Sequence, residues 1–186
     1  METMLQDRRV YELLEEVDRD LALKAQSEGC AHCGGVLHRG DYTRKPRGGP
    51  EWNKRHSFCC SREGCRKRKT PASVRFLGRK VYVGVVVVLV SAMMHGLREG
   101  RAKRLCQALG IDRRTVQHWR EWWRRTFVQG RFWRAEQGRF RRPILEERLP
   151  LGLVEAFCAQ QREGLVNLMK FLSPITTSFC KGVVAM

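Results

Sequence analysis

The sequence predicts a mainly α-helical fold that carries one small β ribbon, in the order N-terminal helix, ribbon, helix-turn-helix, C-terminal helix. Three observations predict it. Apolar residues recur at helical spacing near both ends of the chain. A cysteine- and glycine-rich stretch with few aliphatics follows the first of them, and dense apolar sequence returns after it. The expected units are an amphipathic helix over 1–28, the ribbon over 29–75, a helical domain over 76–128, and a basic linker with a last helix over 129–186.

Charge narrows the class of partner. The 186 residues carry a formal charge of +17, and the pI is near 10.3. Residues 1–28 hold eight acidic and four basic side chains, a net of −4, which leaves +21 on residues 29–186. A surplus of that size points to a polyanionic partner. With 42% hydrophobic residues the chain is not disordered by composition. Its longest uncharged apolar run, Val81 to Met94, is 14 residues, short of the ~20 that a spanning helix needs. The start METMLQDRR lacks the apolar core of a secretion signal. The expectation is a cytoplasmic, nucleoid-associated protein with reduced cysteines and no membrane partner.

The first helix is expected over residues 2–26, with Leu5, Val10, Leu13, Leu14, Val17 and Leu21 near helical spacing and charges between them. Ser27-Glu28-Gly29 is its stop.

Residues 30–70 bury too little apolar surface to order themselves, and the middle, Lys45-Pro46-Arg47-Gly48-Gly49-Pro50, is rich in turn formers. Metal can supply what the core lacks. Cys30-Ala31-His32-Cys33-Gly34-Gly35 places two thiols at a spacing that can grip one tetrahedral ion, and Cys59-Cys60-Ser61-Arg62-Glu63-Gly64-Cys65 supplies a second cluster. A hairpin between them would bring the two knuckles together. Cys30, Cys33, Cys65 and one of Cys59/Cys60 are therefore expected to hold one structural Zn2+. Neighbouring residues of a strand point to opposite faces, so only one of the pair should reach the ion. Cys60 is preferred because the shorter loop to Cys65 keeps a compact turn. His32, His38 and His56 are possible substitutes, but four thiolates are the simpler set. Such a set leaves no open position for catalytic water. Cys106, Cys158 and Cys180 lie on or near apolar helical faces and read as packing residues.

Residues 79–97 hold Val81, Val83 and Val85 to Val88, which favour a strand by propensity. The length of the run, continued by Leu89, Ala92, Met93, Met94 and Leu97, favours a buried helix instead.

Arg101 to Trp119 reads as a helix-turn-helix. Ala102, Leu105 and Leu109 face inward on the first helix, Gly110 supplies a positive φ, Ile111 plugs the elbow and Asp112 caps the second helix. Val116, Trp119 and Trp123 form its buried stripe; Trp122 lies off it and is expected against the C-terminal region. Arg113, Arg114, Gln117 and His118 are expected to face a major groove. Arg120, Arg124 and Arg125 then meet phosphates, and Arg101, Lys103 and Arg104 contact backbone from the preceding helix. Arg66 and Arg68, with Arg62, Lys67 and Lys69, surround the last cysteine and suit the same partner.

A second basic stretch, Arg131, Arg134, Arg139, Arg141 and Arg142, interleaves with Phe132, Trp133 and Phe140. It could follow a phosphate backbone or be a solvated surface. Residues 151–172 read as one last helix stopped by Pro174, with a frayed tail to Met186.

The Cys-x2-Cys-Gly knuckle, the second knuckle leading into Arg66-x-Arg68-x-Thr70-Pro71-x-Ser73, the apolar helix and the helix-turn-helix resemble the N-terminal DNA-binding part of bacterial insertion-sequence transposases. The resemblance covers roughly residues 30–125. It implies that Cys30, Cys33, Cys60 and Cys65 hold zinc, and that the helix from Asp112 recognises the ends of a DNA element. In that family a separate nuclease-like domain, with carboxylates holding two metals, cuts the strands. Residues 128–186 are too few for such a domain, and Glu136, Glu146, Glu147, Glu155 and Glu163 are not set on identifiable strands. The expected function is thus a non-catalytic protein that binds double-stranded DNA, transposase-related or transposon-associated, with a separate transposase catalytic subunit as a further partner. An RNA- or ribosome-associated ribbon protein is the alternative, and a minimal metal-dependent nuclease the third.

Overall fold

The computed structural model describes residues 7–44, 54–77, 82–157 and 161–177. Leu5, the turn-rich stretch 45–50, Val81, Cys158, Cys180 and the tail lie outside the described residues. The fold is mainly helical with a small antiparallel β region.

Helix α1 runs Arg8–Ser27, and Asp7 in extended conformation accepts from the Arg9 N–H at 3.0 Å as its cap. The described helix starts at residue 8, because an extended Asp7 cannot lie inside a helix, and residues 2–6 of the expected span lie outside the described residues. Its buried face is Val10, Leu14, Asp18, Ala22 and Ala25, while Val17 and Leu21 are half-buried and Leu13 is exposed. An aspartate in the middle of that face was not foreseen.

Five short strands follow: β1 (Leu37–Arg39), β2 (Tyr42–Thr43), β3 (Lys54–Arg55), β4 (Phe58–Cys60) and β5 (Arg68–Lys69). Strand β1 pairs antiparallel with β4, with Leu37 opposite Cys60, and β2 pairs with β3, so 37–43 and 54–60 run against each other as the expected hairpin requires. Strand β5 adds to the other side of β4. Among the described residues, Leu37, Phe58, Cys30, Cys60 and Ala22 form the buried apolar cluster of this module. Five side chains are too few to hold such a unit by burial alone.

The main core is elsewhere. Helix α2 (Gly84–Met93) is buried from Gly84 to Ala92, and the valine run is helical as expected. Packed on every side, it satisfies its peptide groups internally, which outweighs the strand propensity of valine. Gly84 admits this packing: a Cβ there would meet Leu77 Cγ at 3.0 Å and the Arg75 carbonyl at 3.1 Å. Val10 and Leu14 from the first half of α1 join the core around α2, and Ala22 from its second half joins the ribbon cluster. One helix thus belongs to both hydrophobic clusters.

Helices α3 (Glu99–Ala108) and α4 (Arg113–Glu121) form the next pair, and α4 continues as a π-helical turn over Trp122–Phe127. Helix α5 (Arg131–Glu136) leads through short 3₁₀ turns to α6 (Leu151–Phe157) and α7 (Gln161–Leu172), which end in a 3₁₀ turn at Ser173–Thr176. The single last helix expected over 151–172 is therefore two helices. Phe157 and Phe171 lie with ring centroids 5.3 Å apart, whereas fourteen residues of one continuous helix would separate them by about 21 Å.

Candidate functional site

Two turns of similar design build the cysteine site. In the first, Gly34 N–H donates to the Cys30 carbonyl at 2.8 Å and Cys30 N–H to the Gly35 carbonyl at 2.9 Å. Gly29 and Gly34, at φ +71° and +68°, take the left-handed conformations that this reversal requires. In the second, Cys65 N–H donates to the Arg62 carbonyl at 3.1 Å and Cys60 N–H to the Lys67 carbonyl at 3.0 Å. Gly64 sits at φ +81°, and Arg66, at φ +41°, takes a left-handed conformation with a full side chain. Ser61 N–H to the Val36 carbonyl, 2.9 Å, ties the second turn to the first.

The Sγ atoms of Cys30, Cys33, Cys60 and Cys65 all lie within 4.8 Å of one another. Cys30 and Cys65 are separated by 3.8 Å and Cys33 and Cys60 by 3.4 Å. A disulfide needs about 2.05 Å, so neither pair is bonded. A tetrahedron with metal–sulfur bonds of ~2.3 Å has edges of about 3.8 Å, so the four sulfurs fit one ion and can hold a metal. Gly35 is part of the fit: a Cβ there would meet Cys60 Sγ at 3.1 Å and Cys33 Sγ at 3.3 Å. Among the described residues this is the one group of three or more His, Cys, Asp or Glu side chains placed to share an ion.

The surrounding backbone favours thiolate where the first turn closes. The N–H groups of His32 and Cys33 point at the Cys30 sulfur and bring its pKa down to about 7. At Cys60 the N–H of Arg62 acts in the same direction, but desolvation and the three neighbouring sulfurs outweigh it and push the thiol up to about 12. Lys67 N–H likewise faces Cys65, whose pKa is nonetheless raised by desolvation and by the Cys33 and Cys30 thiols.

Cys59 is half-buried and outside the group, on the opposite side of β4 from Phe58 and Cys60. His32 and His38 are exposed and also outside it. His56 pairs instead with Asp41 at 3.3 Å.

Sequence reasoning missed the group that fixes the ribbon to the rest of the chain. Asp18 of α1 accepts from Ser73 Oγ at 2.6 Å, from Val74 N–H at 2.6 Å and from Arg75 Nε at 2.8 Å. Arg75 Nη2 reaches the Lys54 carbonyl of β3 at 2.8 Å, and Ser73 N–H reaches Thr176 Oγ1 at 2.9 Å. Lys69 of β5 donates to the Ala25 and Gly29 carbonyls at 2.9 and 3.2 Å and to Glu28 at 2.9 Å, covering the end of α1. A lysine is favoured there because a helix C-terminus is partly negative. The signals were an aspartate on an otherwise apolar face and a serine–arginine pair after a proline.

The second candidate surface is the helix pair. Gly110 stands at φ +61°, Ile111 is buried, and Asp112 Oδ1 accepts from Arg114 and Thr115 N–H at 2.8 and 3.3 Å. Val116, Trp119 and Trp123 are buried beneath the helix, and Cys106 packs as expected. Arg113, Arg114, Gln117 and His118 are exposed, as are Arg101, Lys103, Arg104, Arg124 and Arg125, while Arg120 is half-exposed. Arg113 pairs with Glu99 at 2.7 Å and Arg125 with Glu121 at 2.7 Å. Both pairs are solvent-exposed and worth at most about 1 kcal/mol, so either arginine can exchange partners.

Trp122 is buried with its ring against Trp123 and Phe127, at 4.7 and 5.6 Å. It is thus packed, as expected, with Trp123 and Phe127 as its ring partners. Near the ribbon Arg66 and Arg68 are both exposed, and the Arg68 guanidinium donates to Ser57 Oγ at 3.0 Å and lies over the Tyr42 ring at 6.0 Å.

No helix of the described residues is long and apolar enough to cross a membrane. Comparison with protein-family models, with curated proteins and with solved structures finds no match.

Proposed function

We propose that the chain is a non-catalytic protein that binds double-stranded DNA, with a zinc ion in the four-cysteine site and α4 as the recognition helix. One observation carries the reading. Asp112 caps α4 at the end where Arg113, Arg114, Gln117 and His118 are exposed together, while Val116, Trp119 and Trp123 anchor its other side. A recognition helix needs that division, since its first turns read base edges while its buried face fixes the angle of entry. Charge supports it, with +17 on the chain. Zinc is favoured for the site because four thiolates in a closed tetrahedral set suit a structural ion.

On this reading the protein is transposase-related or transposon-associated and works at the nucleoid, and strand cutting belongs to a separate catalytic subunit. Glu136 pairs with Arg139 and Glu155 with Arg148, at 2.5 and 2.8 Å, which is how surface carboxylates behave. The RNA alternative loses one of its three stacking groups, because Trp133 is wholly covered.

Gel-shift titration against duplex fragments tests the reading. Arg114→Ala or Gln117→Ala should change sequence preference, whereas Arg124→Ala should weaken all sites alike and lower the salt slope by about 1. Absence of duplex binding even at low salt overturns it.

A further inference from the structure

Arg139, Arg141 and Arg142 stand at the rim of an open cleft whose floor is formed by Phe140, Phe157 and Phe171. The three rings make a closed triangle, with centroids 5.9, 5.5 and 5.3 Å apart, and each is half-buried, leaving part of it uncovered. Arg139 is paired with Glu136, but Arg141 and Arg142 are exposed and have no ion-pair partner among the described residues. The cleft measures about 1240 Å³, larger than the ~300–1,000 Å³ typical of small-molecule sites. Its size therefore suits a stretch of polymer better than one small molecule.

We propose that this cleft binds unpaired DNA, with bases against the phenylalanine floor and phosphates on Arg141 and Arg142. An occupant must offer flat apolar groups and regularly spaced negative charge together, and unpaired nucleotides offer both. Paired bases do not, because their faces are stacked inside the duplex. Pro143 follows the two arginines and restrains the backbone that presents them.

The floor is also joined to the recognition helix. Rings pass from Trp123 to Phe127 at 4.7 Å, to Trp133 at 5.4 Å, to Phe140 at 6.0 Å and so into the triangle. Close packing along that line holds the two surfaces in one geometry. A DNA molecule with a duplex segment next to an unpaired strand would engage both. The choice of DNA rests on the proposed function above, while the surface itself is separate from α4.

Fluorescence anisotropy with oligo-dT, with an abasic oligomer of equal charge and with a short duplex tests the proposal. The R141Q/R142Q variant should bind oligo-dT about tenfold more weakly, with a salt slope smaller by about 1.4, and bind duplex as before. Phe157→Leu should lose about fivefold or more on oligo-dT and nothing on the abasic oligomer. Arg114→Ala should alter duplex binding and leave oligo-dT binding unchanged, so that duplex reading and strand binding are scored separately. Unchanged oligo-dT affinity in R141Q/R142Q overturns the proposal, even if α4 binds duplex. So does tighter binding of oligo-U than oligo-dT, or equal competition by poly-glutamate. Both exposed arginines can be replaced without disturbing the core, so the test stands if Phe157→Leu fails to fold.

Discussion

Asp18 and Arg75, 57 positions apart, meet at 2.8 Å in a buried ion pair whose side chains are 1% and 4% exposed. The pair is complete only because Ser73 Oγ and Val74 N–H occupy the remaining carboxylate positions. Four segments converge there: α1, residues 73–76, β3 and the turn after α7. The junction between the ribbon and the helical core is thus polar.

Replacing Asp18 should therefore loosen the molecule more than its polar character suggests. Asp18→Ala leaves the Arg75 charge buried without its partner, a loss of about 3–5 kcal/mol. Asp18→Asn keeps part of the hydrogen bonding and should lose less. Chemical denaturation of the two variants checks the order, and a fall below 1 kcal/mol for Asp18→Ala would refute the assignment.

The ribbon should depend on its metal and the helical core should not. Chelation is expected to expose the amides of Leu37 and Phe58 to hydrogen exchange while helical circular dichroism is largely kept. Protons compete with metal for thiolates, so uptake should tighten as pH rises. The Cys30 thiol, lowered to about 7 from an ordinary value near 9, adds a second effect in the metal-free protein. Its contribution is full above pH 9 and is lost as pH falls through 7. Chelator titration across this range, followed by exchange, checks both.

Cobalt substitution should separate the two adjacent cysteines. Cys59→Ser should keep the full thiolate-to-metal absorption, because that sulfur faces away from the site. Cys60→Ser should lose one thiolate and bind the ion more weakly. The opposite result would exchange their roles.

Arg66 is held at φ +41°, where glycine sits without strain. A left-handed non-glycine residue costs about 1–2 kcal/mol, so Arg66→Gly should retain metal and raise the melting temperature of the ribbon. If the guanidinium contacts phosphate, the same variant should bind duplex less tightly. Greater stability with unchanged DNA affinity would remove Arg66 from the interface.

Much of this was legible in the sequence because local spacing encodes it. The Cys30/Cys33 pair, the Gly110–Asp112 turn and the stripe of Val116, Trp119 and Trp123 each follow from residues within one or two turns of chain. Asp18 did not, since a charged residue in an amphipathic helix reads as surface until its partner is known. That partner, Arg75, lies on another element. The break between α6 and α7 was also hidden, because both helices carry apolar residues at helical spacing and no glycine or proline stands between Phe157 and Gln161. Trp122 was read as packed but off the stripe, and its ring partners Trp123 and Phe127 lie within the π turn, which 3.6 periodicity does not describe.

That π turn has a consequence for how the chain tolerates changes in length. A helix that has taken in one extra residue can give it up again while both ends stay helical. Removing one residue from Trp122–Phe127 would let the turn close as ordinary α-helix. Taken alone, that would turn everything after it by about 100° relative to α4. Leu153, Leu165, Leu168 and Met169 all follow the turn and are buried in the same core as Val85 to Val90 of α2, so the chain cannot follow that rotation and keep its core. A single-codon deletion there should therefore lower stability, and the extra residue works as a fixed setting of angle between two basic surfaces.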